Sequence, residues 1–456
     1  MLGQYIISAS SAPVQDNFRT VDIGHELFLQ YNEDIDLISC HSNSVHVKIL
    51  GQILDIENND LPMTAENFED YIYAFAGRFI AIVNLFDEIR VYLDPGGVLP
   101  FVYSSAHRIG ASGPGLIGAL PYDEDRKQTV ERCEWLPFGL TAKKDVRRLL
   151  PNHYLDLKTW SAHRHWSVPE EVETRSFDEN IEIIASTVSR TIDAAAARWP
   201  LVLPLTGGYD SRMLLSCALA QRDRLLCYTT GGGAGSWDAQ SAAKIAGTMG
   251  IEHLIVQRTD ATPAERADWR EKTGYSVAGS ASRTSRSAWT HLDGKASLVG
   301  FAGEVGRCYY GYGYNEQRPL TGEALLQVLN ITPFEDAVAA ANAWLAPFSR
   351  SSHRRVFDAA YIEQRLGCWA GPQSAGGQRA LASIVPMNHR SVYQAMLDVQ
   401  PGLRHRNAIH AAIVARRTPE LARIPYRPPE PFKAKARRVV TAAKRGLRDL
   451  VQLSGR

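Results

Sequence analysis

The residues best suited to chemistry lie in one short stretch, where hydroxyl and carboxylate side chains flank two adjacent glycines. The segment Thr206-Gly-Gly-Tyr-Asp-Ser211 follows an apolar run and precedes a stretch with helical spacing. Gly207 and Gly208 have no side chains to obstruct a bulky anion, and their backbone N–H groups can point into one concavity. A helix beginning at about Ser211 would direct its positive end at the same place. The segment therefore predicts a phosphate-binding turn between a strand and a helix.

The side chains of this turn indicate a nucleotide. The hydroxyls of Thr206 and Ser211 can donate hydrogen bonds to phosphate, and the Asp210 carboxylate suits Mg²⁺, which prefers oxygen ligands. The turn lacks the Gly-Lys-Ser/Thr ending of the Walker loop and the third glycine of the dinucleotide fingerprint. The simpler alternative is an ordinary glycine turn, but such a turn does not require hydroxyls and an acid together.

The same six residues resemble the Ser-Gly-Gly-x-Asp-Ser pyrophosphate loop of the ATP pyrophosphatase group, which splits ATP into AMP and pyrophosphate. The resemblance implies ATP and Mg²⁺ as cofactors. It assigns Asp210 a catalytic and metal-binding role, and it implies that ATP and pyrophosphate are bound by Thr206, Gly207, Gly208, Asp210 and Ser211. Arg212 follows where the family usually has a small hydroxyl residue. It could add a cation to the pyrophosphate, or face outward as an ordinary helix residue.

Length and composition indicate an ordinary globular protein with room for two or three domains. Of the 456 residues, 45% are apolar and 22% are charged, and the formal net charge of +1 argues against a nucleic-acid partner. No apolar run approaches the ~20 residues that span a bilayer, and the first residues lack a basic leader, so we expect a cytoplasmic protein. Six scattered cysteines without a Cys-x-x-Cys pair predict reduced, mostly buried thiols.

Residues 1–166 predict a β-rich domain, because short apolar runs alternate there with turn signals. The clearest runs are Val45–Leu50, Phe79–Leu85, Glu88–Leu93 and Phe101–Tyr103.

The same region resembles the class II glutamine amidotransferase domain that precedes the synthetase domain of asparagine synthetases. The segments that carry this resemblance are Gly77–Phe79 with its strand, Leu93–Tyr103, Val146–Leu157 and Arg164–Trp166. The resemblance implies a glutaminase-like α+β sandwich. Glutamine hydrolysis in that domain requires an N-terminal cysteine as nucleophile, but Leu2 follows Met1 and the first cysteine is Cys40. We therefore expect an inactive glutaminase-like domain, as in β-lactam synthetases and lasso-peptide cyclases.

Residues 167–177 are predicted to be a linker, and residues 178–432 an asparagine-synthetase-like ATP-binding domain. A helix is predicted over Phe177–Trp199, followed by strands at 201–205, 225–230, 251–256 and 296–301. Strands alternating with helices predict a parallel sheet of the adenine nucleotide α-hydrolase type, with ligands at the carboxyl ends of its strands. Pro204 is awkward in a central strand, because it has no N–H group. After Pro319 the chain is predicted to be helical, including 334–346 and 377–385.

Several further site residues follow from the resemblance. Thr230 ends the second strand, and the resemblance makes it a residue that binds ATP. Asp238 opens the next helix, where it either lies beside the nucleotide or is only a helix-start acid. Gly300-Phe-Ala-Gly-Glu-Val305 resembles a diverged Gly-x-Gly-x-Asp-Glu motif, which makes Gly300 a nucleotide-binding residue and Glu304 a metal ligand. Phe301 stands where β-lactam synthetases have a catalytic tyrosine, so β-lactam formation is disfavoured.

The C-terminal tail, 433–456, is strongly basic and is predicted to be a solvated or disordered helix. Its first residue is the exception, because Ile424–Lys433 resembles a Pro-rich loop that brings a catalytic lysine over the phosphates. Lys433 is the expected catalytic residue, and Lys435 is the alternative.

Together these features predict an α/β two-domain ligase of the asparagine synthetase type. It would adenylate a small-molecule or peptide carboxylate and transfer the acyl group to ammonia or a substrate amine. The substrates and the oligomeric state do not follow from the sequence. Two alternatives stay open: an enzyme that adenylates RNA bases, and a non-enzymatic scaffold with a degraded metal site, for which Ala302 and Val305 provide the argument.

Overall fold

The structure, a computed structural model, describes residues 4–14, 16–42, 44–57, 63–118, 120–231, 233, 235–376 and 381–426. These residues form a mixed α/β structure with two antiparallel sheets and one five-stranded parallel sheet. Lys433, Lys435 and the basic tail lie outside the described residues.

The antiparallel part contains the strands β1 (Tyr5–Ser8), β2 (Phe18–Gly24), β3 (Leu27–Asn32), β4 (Asp36–His41), β5 (Val45–Asp55), β6 (Phe75–Leu85), β7 (Glu88–Leu93), β8 (Val102–Ser104), β9 (Ile109–Ala111), β10 (Arg147–Arg148), β11 (His153–Asp156) and β12 (Ser161–Arg164). One sheet has the order β10-β8-β9-β1-β3-β2, and the other has the order β12-β11-β7-β6-β5-β4. Two helices accompany them, α1 (Phe68–Tyr73) and α2 (Glu124–Cys133). The four predicted runs correspond to β5, β6, β7 and β8.

Strand β6 lies between two hydrophobic cores. Ile80 and Ile82 point into the core between the two sheets, where they meet Leu29 of β3. The alternate residues, including Phe79 and Ala81, pack on the other side against α1. Because successive side chains of a strand point to opposite faces, both halves of the alternation are apolar here. This explains why the sequence from Phe79 onward is a continuous apolar run.

The parallel sheet contains β13 (Leu201–Pro204), β14 (Leu226–Thr230), β15 (His253–Val256), β16 (Ala296–Leu298) and β17 (Ala382–Ile384), in the order β15-β14-β13-β16-β17. The helices that pack around it include α3 (Phe177–Ala196), α4 (Tyr209–Cys217), α5 (Trp237–Met249) and α6 (Pro263–Thr273). The predicted parallel sheet is confirmed. Pro204 is the last residue of the central strand, where β13 ends and the loop to α4 begins.

Helices dominate the remaining described chain: α7 (Gly322–Val328), α8 (Glu335–Leu345), α9 (His353–Ala360), α10 (Gly371–Ala375), α11 (Arg390–Asp398), α12 (Pro401–His405), α13 (Ala408–Arg417) and α14 (Pro419–Ala422). A π-helical segment, Tyr361–Ala370, joins α9 to α10. The prediction of a helix over 377–385 is wrong at Ala382–Ile384, which pairs in parallel with β16. Pairing with a neighbouring strand outweighs the helical preference of alanine there.

None of the helices in the described part of the chain is long and apolar enough to cross a membrane. All six cysteines are free thiols, and five of them are buried, so the prediction of reduced, mostly buried cysteines is confirmed.

Buried polar side chains join the antiparallel part to the helical part. The fully buried Glu363 carboxylate accepts hydrogen bonds from Arg164 (Nη2, 2.8 Å), Asn152 (3.1 Å) and Trp344 (2.7 Å). Burial alone would raise the pKa of Glu363, but the Arg164 guanidinium and its other partners hold that pKa below the usual value. Asn388 makes a second such contact, donating to Asp94 at 2.7 Å. These contacts fix the two parts relative to each other.

Replacement of His389 is expected to reduce the pH dependence of stability. Burial lowers the pKa of His389 to about 4, whereas an unfolded histidine titrates near pH ~6.5. The unfolded chain therefore takes up the proton first. The contribution of this group to the free energy of unfolding is present above pH ~6.5 and is lost, by ~3 kcal/mol in total, as pH falls towards ~4.

The variant for this measurement is His389→Asn, because asparagine can still accept the hydrogen bond that His389 accepts at the start of α11. Denaturant unfolding at pH 7, 6 and 5 should show a shallower loss of stability for the variant than for the native chain. Equal pH slopes for the two proteins would contradict the expectation.

Candidate functional site

The predicted phosphate loop lies at the carboxyl end of the central strand of the parallel sheet. Strand β13 ends at Pro204, and α4 begins at Tyr209, two residues earlier than the sequence predicts. The N–H groups in the first turn of a helix have no backbone acceptor within the helix, so the first turn of α4 directs N–H groups at the loop. The backbone of Gly207 passes close to α5: a β-carbon there would lie 3.0 Å from Ser241 Oγ and 3.0 Å from Trp237 Nε1. A side chain at this position would require Ser241 or Trp237 to shift by a few tenths of an ångström.

The hydroxyl groups of the loop hold its shape. Thr206 Oγ1 lies 3.1 Å from Ser211 Oγ, and it also accepts a hydrogen bond from the Gly208 N–H group at 3.1 Å. The Ser211 hydroxyl accepts from the Thr206 N–H group at 3.2 Å. The two residues predicted as phosphate donors thus close the turn from opposite ends. Their phosphate-binding role stays a prediction.

Asp238 lies against the loop, which agrees with the first of its two predicted positions, beside the nucleotide site. It is the second residue of α5, and its Oδ1 accepts a hydrogen bond of 3.2 Å from the Gly207 N–H group. An arriving phosphate would compete with this carboxylate for the same N–H group. Asp238 is therefore more than a helix-start acid, because it occupies one donor of the loop.

The Asp210 carboxylate faces two basic side chains. Arg307 donates from Nη1 to Oδ2 at 2.8 Å, and Nε2 of the fully buried His410 lies 3.0 Å from Oδ1. Burial would raise the pKa of Asp210, but contact with His410 and the charge of Arg307 lower it below the usual value. Gly303 packs against the same carboxylate, since a β-carbon at Gly303 would lie 2.2 Å from Asp210 Oδ1. Asp210 is held as an ionised carboxylate.

Glu304 is brought to the same place as Asp210. It lies in a short 3₁₀ helix, Gly303–Arg307, and its Oε2 accepts a hydrogen bond of 2.5 Å from the Tyr361 hydroxyl. Burial and the negative charge of Asp210 raise the pKa of Glu304, although the Tyr361 hydrogen bond opposes this. The predicted closeness of Asp210 and Glu304 therefore has structural support.

The arrangement around Asp210 does not fit Mg²⁺ in the way that the resemblance implies. Mg²⁺ requires carboxylate oxygens at ~2.1 Å in near-octahedral geometry. However, Oδ2 is bonded to Arg307, and Oδ1 has no exposed surface. The raised pKa of Glu304 favours its protonated form, which is a poorer ligand. In the part of the chain that the structure describes, no group of three or more His, Cys, Asp or Glu residues is placed to hold an ion. The metal roles of Asp210 and Glu304 stay predictions, and this donor arrangement does not favour them.

Arg212 follows neither of its two predicted roles. Its side chain is fully buried beneath the loop, where it donates to the carbonyl of Gly207 and to three carbonyls near the end of the described chain. Those acceptors are Leu421 O (3.2 Å), Ile424 O (2.6 Å) and Pro425 O (3.1 Å). Arg212 comes two positions after Asp210 on α4, so its side chain points about 200° around the helix axis from Asp210, here into the core. Arg212 joins the loop to the last described residues.

The other predicted site residues are spread along the carboxyl edge of the sheet. Thr230 ends β14, the strand next to β13, and its side chain is exposed. Gly300 follows β16, and a β-carbon there would lie 3.2 Å from Asp210 Cβ, so this glycine borders the site. Phe301 packs instead against Trp369, with ring centroids 5.6 Å apart. Lys433 lies outside the described residues.

Sequence reasoning missed the basic partners of Asp210. Arg307 lies three residues after Glu304 and carried a weak signal, because it belongs to the same motif region. His410 is separated from Asp210 by two hundred residues on α13, and nothing in its neighbourhood marks it. Ala302, which replaces a glycine of the motif, adopts a left-handed conformation with φ 72°, the kind of backbone that favours glycine.

No family model matches the sequence, and no curated protein matches it. Solved structures with weak likenesses include the following three. An NH3-dependent NAD synthetase from Campylobacter jejuni, solved with nitrate ion, is 15% identical, with 18% of this chain and 37% of that chain covered and a TM-score of 0.16. An NMN synthetase from Francisella tularensis is 14% identical, and the match covers 41% of this chain and 93% of that chain, with a TM-score of 0.21.

The third structure is a glutamine phosphoribosylpyrophosphate amidotransferase from B. subtilis complexed with ADP and GMP. It is 9% identical, and the match covers 74% of this chain and 86% of that chain, with a TM-score of 0.20. This chain spans about a third of the length of the NAD synthetase. Likenesses as weak as these show nothing about the activity of this chain.

Proposed function

We propose that this protein is an ATP-dependent ligase that forms an amide bond. A substrate carboxylate oxygen attacks the α-phosphorus of ATP, a C(O)O–P bond forms, and the bond to pyrophosphate breaks. The nitrogen of ammonia or a substrate amine then attacks the acyl carbon, loses a proton, and displaces AMP. The overall products are an amide, AMP and pyrophosphate.

The observation that carries this proposal is the position of the Thr206–Ser211 loop. It connects the central strand of a parallel sheet to the N-terminus of α4, at the carboxyl edge where open α/β sheets bind ligands. The helix N-terminus favours an anion, and Gly207 keeps the backbone clear of side-chain atoms. The acidic and basic groups of Asp210, Glu304 and Arg307 meet beside this turn.

The chain's own residues would act mainly by positioning and charge. The loop backbone would bind the phosphates, and the partly buried Asp210 would hold the charged groups around it in one geometry. Preorganised charge of this kind stabilises the departing pyrophosphate without covalent participation of the protein. Lys433 and Lys435 remain candidates for a further cation, although both lie outside the described residues.

The test measures pyrophosphate release by the full-length protein incubated with ATP, an amine or ammonia, and a panel of carboxylic acids. Asp210→Asn is expected to lower the rate by at least ~100-fold, the usual cost of removing one preorganised charged contact. Asp293→Asn is the matched control, because Asp293 is exposed and distant from the loop in sequence. It should leave the rate unchanged.

The outcomes separate the candidate functions. Release that requires one acid supports the ligase and identifies its substrate. Release only in the presence of RNA would instead favour RNA modification. Absence of both pyrophosphate release and ATP binding would favour a non-enzymatic scaffold. The hydrogen bond between Asp238 and the Gly207 N–H group supports this alternative, because it occupies a donor that a phosphate would need. Full activity of Asp210→Asn would refute the role of Asp210.

A further inference from the structure

We infer that Arg307 binds the pyrophosphate part of the nucleotide, at the place that the resemblance assigns to Mg²⁺. The inference rests on the proposed function, since it requires a nucleotide at the Thr206–Ser211 loop. It makes Arg307 a binding residue and makes Asp210 and His410 positioning residues.

Arg307 is oriented by two fixed acceptors. Its Nη1 donates to Asp210 Oδ2 at 2.8 Å, and its Nε donates to Asn407 Oδ1 at 2.8 Å. Asn407 is itself fixed in a left-handed conformation with φ 59° immediately before α13. These two bonds hold the guanidinium plane on two sides. An arginine fixed in this way loses little further freedom when it binds a ligand.

One side of the same guanidinium remains available. Its Nη2 has no hydrogen-bond partner among the described residues, and the side chain is 31% exposed. By contrast, the buried His410 behind Asp210 is fully enclosed. A guanidinium presents donors in a planar fork that matches phosphate oxygens. The exposed part of Arg307 is therefore suited to a phosphate group.

The position of Arg307 places this donor beside the loop. Asp210, its partner, is the second residue of α4, and the guanidinium carbon lies 5.9 Å from the ring centroid of Tyr209, the first residue of that helix. An anion at the N-terminus of α4 would thus meet both the helix N–H groups and Arg307. Since arginine stays protonated, this cation is present without a bound metal ion.

Asp210 explains why the guanidinium stays in place. Its carboxylate is engaged by Arg307 on one oxygen and faces His410 on the other, so it balances the charge of Arg307 and fixes the separation of the two side chains. A magnesium ion bound to Oδ2 would displace Arg307, and one bound to Oδ1 would displace His410 and be repelled by the positive charge of Arg307. The donor geometry favours the guanidinium over the ion.

The experiment is calorimetric titration of the full-length protein with inorganic pyrophosphate and, separately, with ATP, each in EDTA and in Mg²⁺. We expect binding in EDTA with an affinity within about threefold of that in Mg²⁺. Arg307→Gln should weaken pyrophosphate binding in EDTA at least ~10-fold, and Arg307→Lys should weaken it less, because it keeps the charge but not the fork. Arg318→Gln is the matched control, since Arg318 is an exposed arginine eleven residues after Arg307 in the sequence. This variant should bind pyrophosphate as tightly as the native chain does.

The results distinguish this inference from the proposed function. Binding of ATP or pyrophosphate only in Mg²⁺, or equal affinity of Arg307→Gln and the native chain, would overturn the inference and leave the ligase proposal standing. A lack of ATP binding under both conditions would overturn both. An unchanged melting temperature of Arg307→Gln shows that any loss of binding arises at the site rather than from unfolding.

Discussion

Arg212→Met is expected to lower the free energy of unfolding by about 3 kcal/mol or more and to weaken ATP binding at the same time. The side chain is fully buried and donates to four carbonyl groups, of which Gly207 O belongs to the loop. Methionine has similar length but no donor, so the carbonyls lose their partners, and an unsatisfied buried polar group costs about 1–3 kcal/mol. Denaturant unfolding monitored by circular dichroism measures the first effect, and nucleotide titration measures the second.

A second structural consequence explains why both effects should appear together. The Arg212 guanidinium carbon lies 3.8 Å from the ring centroid of Tyr426, and Tyr426 stacks on Tyr209 with centroids 4.1 Å apart. Loss of the guanidinium therefore loosens the stack that ends at the first residue of α4. Loss of the Arg212 side chain should therefore also disturb the N-terminus of α4, where we expect phosphate to bind.

Arg222→Met is the control for this prediction. Arg222 follows α4 closely in sequence, but its side chain is 59% exposed, and its partner Asp223 is exposed as well. Surface ion pairs contribute about 0–1 kcal/mol, so this variant should unfold almost as the native chain does. Equal stability of the two methionine variants would mean that the buried hydrogen bonds of Arg212 contribute nothing measurable.

Gly303→Ala is expected to reduce pyrophosphate release at least ~100-fold by displacing the Asp210 carboxylate. A β-carbon at Gly303 would lie 2.2 Å from Asp210 Oδ1, 2.9 Å from its Cγ and 3.2 Å from Met387 Cε. Real β-carbons do not approach so closely, so Asp210 must move, and its contacts with Arg307 and His410 break. Overpacking of this kind also costs about 1–3 kcal/mol of stability. Steady-state rates and unfolding midpoints, measured side by side, separate the two effects.

The matched variant is Gly247→Ala, because no heavy atom lies within 4 Å of a β-carbon at that position of α5. Alanine in a helix interior is favoured over glycine by up to ~1 kcal/mol, so this variant should be active and slightly more stable. If Gly303→Ala released pyrophosphate as fast as Gly247→Ala does, the contact between Gly303 and Asp210 would have no functional importance.

Much of the fold could be predicted from the sequence because its signals are local. Strands such as Glu88–Leu93 show their apolar pattern within six residues, and the helix that begins at Phe177 has the predicted start, with a capping box between Ser176 and Glu179. Alternation of strands and helices after residue 200 was enough to predict the parallel sheet. Its edge strand β17 was not foreseen, because its three residues are defined by pairing with β16 rather than by their own pattern.

For the candidate site, the sequence by itself determined the loop. The glycines, hydroxyls and acid of Thr206–Ser211 are adjacent in the chain, and the hydrogen bond between Thr206 and Ser211 spans only five residues. The resemblance to the Gly-x-Gly-x-Asp-Glu motif also predicted that Glu304 lies near Asp210. The structure gives the reason, because both residues follow neighbouring strands of the parallel sheet, and such strand ends meet at one edge.

Only the tertiary structure decided what surrounds the Asp210 carboxylate. Arg307 and His410 come from segments about one hundred and two hundred residues later, and Arg212 turns into the core to bind carbonyls just before the last described residue. Charge pairing depends on which side chains the packed chain brings within about 4 Å, and no local pattern encodes that distance. The sequence alone therefore predicted an acid suited to a metal ion, whereas the folded chain shows an acid already paired with its own basic residues.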